Sequence, residues 1–493
     1  MPAPGGSVDG LLGETDRVSV TEPDMRGAVR LARERVYHSD VPVPRDQRRD
    51  VDRPPGPNRV QALRGMTKSG AAPWFMVGIE SAYTPLAHMR LMGDHIYSLT
   101  DPSAIVDVFI THGRETIKGR GLQGAKAVLG NGLLTSEGDV HLRHRRLVQP
   151  AFHRERIASY STDMAVLTEE HERGWREGQI IDMQSDMSTL TLSIVGRTLF
   201  GADLSGDAHE VGESLAALLD GMGRYLALGP RVLSLPAPGR NRALAASTRI
   251  DQIVHRIITE HRAQGDTGDM LSLLLQAQED GHGFSDDQVR DEAVTLVLAG
   301  HETTAMALTW TWMLLSQHPE RAEWLHEELD TVLGGRTPTM DDMSQLPRSR
   351  AVIAESMRLY PPVWLQGRRM LADAEVAGWT IPRGALAFAS QFALHRSPRW
   401  WESSLAFRPQ RWISANGTFS EDAPGQPRGA WFPFGWGNRR CIGEQFAWTE
   451  ATLVLATLAQ RWSPQLVPGA NIEPMPAVTL RPRAGMPMTL RQR

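Results

Sequence analysis

The chain has 493 residues, 41% of them hydrophobic and 22% charged, with a formal net charge of −4. That length can bury a large core, and the slightly acidic balance excludes general nucleic-acid binding. A single cysteine, Cys441, excludes an intrachain disulfide and fits a reducing compartment.

Residues 1–55 are rich in Pro, Gly, Asp and Arg, as in VPVPRDQRRDVDRPPGP, and predict a flexible extension ending in a stiff proline turn. Within it, MRGAVRLARERVYH has the pattern of a short basic helix with a solvated face. No charged start followed by an apolar run occurs near Met1, and no uncharged apolar stretch of about 18 residues follows. Neither a secretory signal nor a membrane span is expected, and the expected location is cytoplasmic. From Gly56 to Arg493 no linker, low-complexity tract or repeat interrupts the pattern, which predicts one domain over 56–493. Lysine stands only at positions 68, 118 and 126, which we read as GC-rich bacterial coding rather than function.

Helical patterns dominate this domain. DHIYSL at 94–99 reads as a strand, and HLRHRRLVQPAF places His141 and Arg145 one helical turn apart. SDDQVRDEAVTLVLAGHETTAMALTWTWMLLSQHP opens with Ser285 and Gln288 in capping-box spacing. It stays apolar on nearly every face until Pro319, roughly 50 Å of helix, as in a helix buried through the centre of a fold. PERAEWLHEELDTVLGG then starts on Pro319 and ends on Gly334-Gly335. Alternation around Gly and Pro between 374 and 394 predicts further strands, and a long helix runs from Phe446. The fold class is mainly α with a minor β region.

Four motifs carry chemistry. His301-Glu302-Thr303-Thr304 begins like a zinc-protease HExxH, but position 305 is alanine, so two ligands do not share that face. What remains is an acid and two hydroxyls in mid-helix after Ala299-Gly300, where glycine lets a ligand approach and Thr can bend the helix. A kinked core helix with a solvated Glu302 reads equally well. Glu355 and Arg358 share a helix face, a spacing common in surface pairs of little consequence. His141 and Arg145 suit either an anion clamp or, with Arg143, His144 and Arg146, a solvated basic face. Cys441 precedes a helix and adjoins Arg439 and Arg440, features that lower a thiol pKa and favour a thiolate. Gly435, Gly437 and Gly443 leave room for something flat, and a thiolate is one class of haem ligand.

In order and spacing these motifs resemble the cytochrome P450 family, over about Pro54 to the C-terminus. Phe434-Gly-x-Gly437-x-Arg439-x-Cys441-x-Gly443 is similar to its haem-binding signature, and Ala299-Gly300-x-Glu302-Thr303-Thr304 to its oxygen-activating kink. Glu355-x-x-Arg358 resembles its invariant pair, with Arg411 completing a triad; Gln410 departs from the usual Glu.

The resemblance implies a cytochrome P450 fold with the long central helix over a buried haem. Cys441 would be the axial ligand of haem b, with Phe434, Gly437 and Gly443 shaping its loop. His141, Arg145, Arg368 and Arg439 would bind the propionates, Arg369 being the competing alignment for Arg368. Glu302 and Thr303 would deliver protons to the dioxygen being reduced, while Glu355, Arg358 and Arg411 would be structural. The pocket would take in the 117–135 loop, the helices near 212–245, Leu298, Ala299, Val363, Trp364 and Leu365, all largely apolar. The implied function is a monooxygenase that hydroxylates or epoxidises a lipophilic metabolite, leaning to terpenoid or polyketide. Peroxide-driven oxidation, oxidative coupling or rearrangement on the same fold is the alternative, and a non-catalytic haem-binding protein a remote one. Electrons would pass from NAD(P)H through a separate ferredoxin and its reductase, docking on a basic patch of Arg143, Arg146 and Arg440. The expected oligomeric state is a monomer.

Overall fold

The computed structural model describes residues 52–493 except 202–213, 215–239, 266–267, 280–281 and 423–424. The expected extension lies almost wholly outside the described residues. Arg53, however, donates to the Tyr97 hydroxyl at 3.0 Å, and the Pro55 carbonyl accepts from the His88 N–H at 3.2 Å. The folded domain thus takes in Arg53–Pro55, slightly ahead of the expected start at Gly56.

The central helix, Asp286–Gln317, runs 32 residues without a break. The Ser285 hydroxyl accepts from the Gln288 N–H, and the Gln288 side chain accepts from the Ser285 N–H, as the spacing predicted. Its apolar faces meet the helices Met183–Phe200, Pro347–Leu359 and Glu444–Leu458, with Trp310 and Trp312 fully buried among them. The next helix, Pro319–Val332, stops before Gly334 and Gly335, whose φ values of +57° and +90° continue no right-handed helix.

One five-stranded sheet runs in the order Leu86–Leu91, Asp94–Leu99, Leu386–Ala389, Gln366–Met370, Thr116–Lys118. Asp94–Leu99 and Leu386–Ala389 are parallel and the other neighbours antiparallel. Opposite Arg368 stands Lys118, and opposite Arg369 stands Ile117. Directly opposed residues project to the same face, so this register sets Lys118 and Arg368 side by side and turns Arg369 away. Strands form at Ala374–Val376, Trp379–Ile381 and Leu386–Ala389 as expected, but Gln391–Leu394 is a short helix. The Ser390 hydroxyl caps it by accepting from the Ala393 N–H at 3.2 Å. Among the described residues no helix is long and apolar enough to cross a membrane.

Candidate active site

Phe434–Gly443 folds as a loop ahead of the helix Glu444–Leu458. It closes where the Cys441 N–H donates to the Phe434 carbonyl at 2.9 Å, while the Gly443 N–H points at the Cys441 sulfur. Gly437, at φ +70°, is required twice: a Cβ there would also stand 2.0 Å from the Phe109 carbonyl oxygen. The Phe434 ring leans on Trp448 with centroids 5.8 Å apart. Cys441 is exposed by surface area, yet burial pushes its thiol up to about 11. A thiol that is accessible and yet ringed by protein atoms sits in a recess rather than on the outer surface.

That shift corrects the sequence expectation of a lowered thiol pKa. The Gly443 N–H, Arg145 and Arg440 act in the expected direction, but burial outweighs them and Glu444 opposes them. Arg440 is itself paired with Glu444, which neutralises one member of the expected basic patch, while Arg143 keeps its charge and donates to the Gly283 carbonyl at 3.0 Å.

The second motif lies on the central helix. Ala299 is exposed and Gly300 and Thr303 half-buried, in a run where Leu298, His301, Glu302 and Thr304 are buried. Ala299 and Thr303 share a face. The Thr303 hydroxyl donates to the Ala299 carbonyl at 2.7 Å and that of Thr304 to Gly300 at 3.2 Å, bending forces on the helix at this point. The Thr191 hydroxyl adds a bond to the His301 carbonyl at 3.2 Å. Glu302 is not solvated: its Oε1 accepts from the Thr479 hydroxyl at 2.8 Å. Two pocket expectations fail here. Leu298 packs into the main core, and Trp364 joins Met76 and Phe392 in a separate one, its Nε1 donating to the Ala477 carbonyl at 3.2 Å. Val363 and Leu365 are half-buried, and most of 212–245 lies outside the described residues.

His141, Arg145, Arg368 and Arg439 do converge, around two groups the sequence reading missed, Lys118 and Glu137. Lys118 is buried, its ammonium donating to the carbonyls of Leu133 at 2.9 Å and Ser136 at 2.5 Å. Arg439 meets Glu137 at 2.6 Å, and Arg145 donates to the Arg440 carbonyl at 2.9 Å. Burial first, then Lys118, Arg439 and Arg145, pushes His141 down to about 2. Burial and Arg439 likewise bring Arg368 down to about 10. Arg369 instead meets Asp94 at 3.2 Å, so of the two it is Arg368 that faces this cluster. His144 leaves the supposed basic face altogether and bonds Glu292 at 2.7 Å inside the protein.

Glu355 and Arg358 are not a surface pair. Both are fully buried, and Glu355 accepts two bonds from Arg358, at 2.8 and 2.9 Å, and one from Arg411 at 3.1 Å. Trp412 Nε1 and the Arg408 N–H complete its shell at 2.9 Å each. Gln410 leaves this arrangement untouched. One further carboxyl escaped the sequence reading: Glu450, fully buried, with neither oxygen in a well-formed hydrogen bond. Burial pushes it up to about 8 despite the nearby Thr304 hydroxyl.

A mainly helical fold that presents its one thiol from a glycine-shaped loop, with a central helix that is open at Ala299, has the parts of a thiolate-ligand enzyme. Comparison with known proteins agrees. The family model described as Cytochrome P450 matches residues 54–486. Cyclooctatin synthase of Streptomyces melanosporofaciens is 38% identical over 81% of this chain and 87% of its own. Cyclooctat-9-en-7-ol 5-monooxygenase of the same species is 37% identical over 79% and 85%. Pentalenene oxygenase of Streptomyces avermitilis is 34% identical over 81% and 88%. The chain belongs to the cytochrome P450 family, and it is a monooxygenase of that family.

The family implies haem-thiolate iron, and the residues present fit it. Lys118, Arg368 and Arg439 gather around Glu137, with Arg145 beside Arg439, and among the described residues this positive charge exceeds what that carboxylate balances, an excess that two propionates would offset. Glycine at 437 lets the loop close against the Phe109 carbonyl, and the loop so folded presents the sulfur.

Proposed function

We propose that this chain inserts one oxygen atom from O2 into a lipophilic terpene-type molecule, by hydroxylation or epoxidation. The exposed thiol of Cys441 inside the protein carries this reading. The relatives whose names specify cyclooctatin, cyclooctat-9-en-7-ol and pentalenene chemistry support the substrate class.

Haem iron held by Cys441 supplies dioxygen activation when bound. The rest is the protein's work. Phe434 packs beside the sulfur, and the Gly443 N–H bonds it, which tunes how much charge it carries. His141, Arg145, Arg368 and Arg439, with Lys118, would hold the propionates. Ala299 and Gly300 would leave room for the substrate beside the central helix. Glu302 and Thr303 pass protons from the interior to the reacting oxygen, the hydroxyl by exchanging its bond to the Ala299 carbonyl for one to water. Electrons come from NAD(P)H through a ferredoxin and its reductase.

The carbon monoxide difference spectrum of the reduced protein tests the ligand directly. A thiolate-type Soret band is expected in the natural protein and not in Cys441→Ser; its survival in the variant overturns the assignment. Incubation with ferredoxin, reductase and a panel of cyclic terpenes tests the substrate class by oxygenated product.

A further inference from the structure

The distal acid is tied to an element far away in the chain. The hairpin of Pro474–Pro476 and Leu480–Pro482 brings residues 477–480 against the central helix. Its placement is fixed from several sides. Trp310 Nε1, from the central helix, donates to the Leu480 carbonyl at 2.9 Å, and the Leu480 N–H donates to the Pro362 carbonyl at 2.8 Å. Trp364 Nε1 donates to the Ala477 carbonyl at 3.2 Å. Between these anchors stands Thr479, 3% exposed, whose hydroxyl donates to Glu302 Oε1 at 2.8 Å. Glu302 Oε2 has no hydrogen-bond partner among the described residues, so the bond at Oε1 leaves one oxygen for other work.

From this geometry we infer that Thr479 is a positioning residue for proton delivery: it orients the Glu302 carboxylate through Oε1 and leaves Oε2 as the oxygen that exchanges protons. The inference rests on the role given to Glu302 above. A free Glu side chain samples several rotamers, and proton transfer needs one oxygen within hydrogen-bond reach of its partner. Holding one oxygen from a rigid hairpin confines the other to a narrow arc. Because the same hairpin is anchored beside Val363–Leu365 through Pro362 and Trp364, displacement of that segment would be felt at Glu302 through one hydroxyl. The neighbouring titratable groups are His301, buried and held below its ordinary pKa by burial, and Glu450 beyond Thr304.

Thr479→Val, Thr479→Ser and Glu302→Gln in the haem-loaded protein test this, with guaiacol and hydrogen peroxide as the probe reaction, which needs neither the natural substrate nor a redox partner. Thr479→Val is expected to lower the rate about five-fold and to raise the solvent deuterium isotope effect, while Thr479→Ser keeps both near the natural values. Denaturant midpoints of Thr479→Val, Glu302→Ala and their double, in which each single removes one partner of the Oε1 bond, give a second readout independent of turnover. The double is expected to lose less stability than the two singles summed. Additive losses, or a Thr479→Val rate and isotope effect equal to the natural protein's while Glu302→Gln is impaired, overturn the positioning role alone. An unimpaired Glu302→Gln instead overturns the proton-delivery reading on which it rests.

Discussion

Glu355 and Glu450 are both fully buried, on the helices Pro347–Leu359 and Glu444–Leu458 that pack against the central helix. Around Glu355 five donors converge: Arg358 twice, Arg411, Trp412 and the Arg408 N–H. Around Glu450, among the described residues, there is the Thr304 hydroxyl alone, already committed to the Gly300 carbonyl. Burial pushes both carboxyls up. At Glu355, Arg358 and then Arg411 and the Arg408 N–H outweigh burial and hold it below its ordinary value; at Glu450 burial prevails, to about 8. Equal burial thus produces a charged, fully bonded node in one region and a neutral acid in the other. The donors decide, since a buried charge persists only where its lone pairs are filled.

The comparison breaks most visibly if a partner of the charged node is removed. Arg358 also donates to the carbonyls of His395, Ser404 and Ala406, tying the Pro347–Leu359 helix to the chain around 395–406. Arg358→Leu leaves Glu355 charged, buried and half-bonded and is expected to cost about 3–5 kcal/mol, read as a fall in the denaturant midpoint. A loss below about 1 kcal/mol means that Glu355 simply takes up a proton instead. The same node makes the protein acid-labile. Because Glu355 is held below its unfolded value near 4.5, its contribution is present above that pH and lost as pH falls through the folded value.

Glu450 has the opposite sign. Between pH 4.5 and about 8 the unfolded chain has released this proton and the folded chain has kept it, so stability falls as pH rises through that window and levels off above it. Glu450→Gln removes the titration. Relative to that variant the natural protein is expected to lose about 2–4 kcal/mol between pH 5 and pH 8.5. Parallel stability curves for the two proteins would mean that Glu450 is solvated or ionised throughout.

Smaller changes sharpen the contrast. Trp412→Phe removes one neutral donor from Glu355 and leaves a smaller aromatic ring where the indole packs on Trp431, centroids 4.5 Å apart. With four bonds left, the expected loss is about 1–2 kcal/mol, with no change in haem content. A loss as large as that of Arg358→Leu would show that the five donors act as an indivisible unit.

These two carboxylates also mark where sequence stops being informative. The Cys441 loop and the central helix with its Thr back-bonds were legible because they are local. A glycine at φ +70°, a capping box and Thr back-bonds are written within a few residues of one another. Glu355 was visible as half of an i,i+3 pair, but spacing could not tell a solvated pair from a buried one; the donors arrive from residues 408–412. Thr479 lies 177 positions from Glu302, and no local pattern joins them. Lys118 did leave a trace: one of only three lysines, it was read as residual coding bias rather than as a buried ammonium among arginines. Glu450 left one too, a lone acid in the apolar run AWTEATLVLATL, where a solvated face was excluded by its neighbours.

The smallest expected effect tests whether the Thr304 hydroxyl reaches Glu450 at all. Thr304 lies on the central helix one residue after Thr303, and its hydroxyl opposes the rise that burial imposes on Glu450. Removing it in Thr304→Val lets burial act unopposed, so the native protein holds its proton to higher pH than about 8. The stability difference between proteins with Glu and Gln at 450, measured in the Thr304→Val background, is then expected to coincide with the natural curve below pH 7. It should keep falling beyond the pH at which the natural curve levels off. Thr304→Ser is expected to restore the natural curve. If the curve in Thr304→Val levels off at the same pH as before, the hydroxyl serves only the Gly300 carbonyl, and Glu450 is held neutral by burial with no help or hindrance from the central helix.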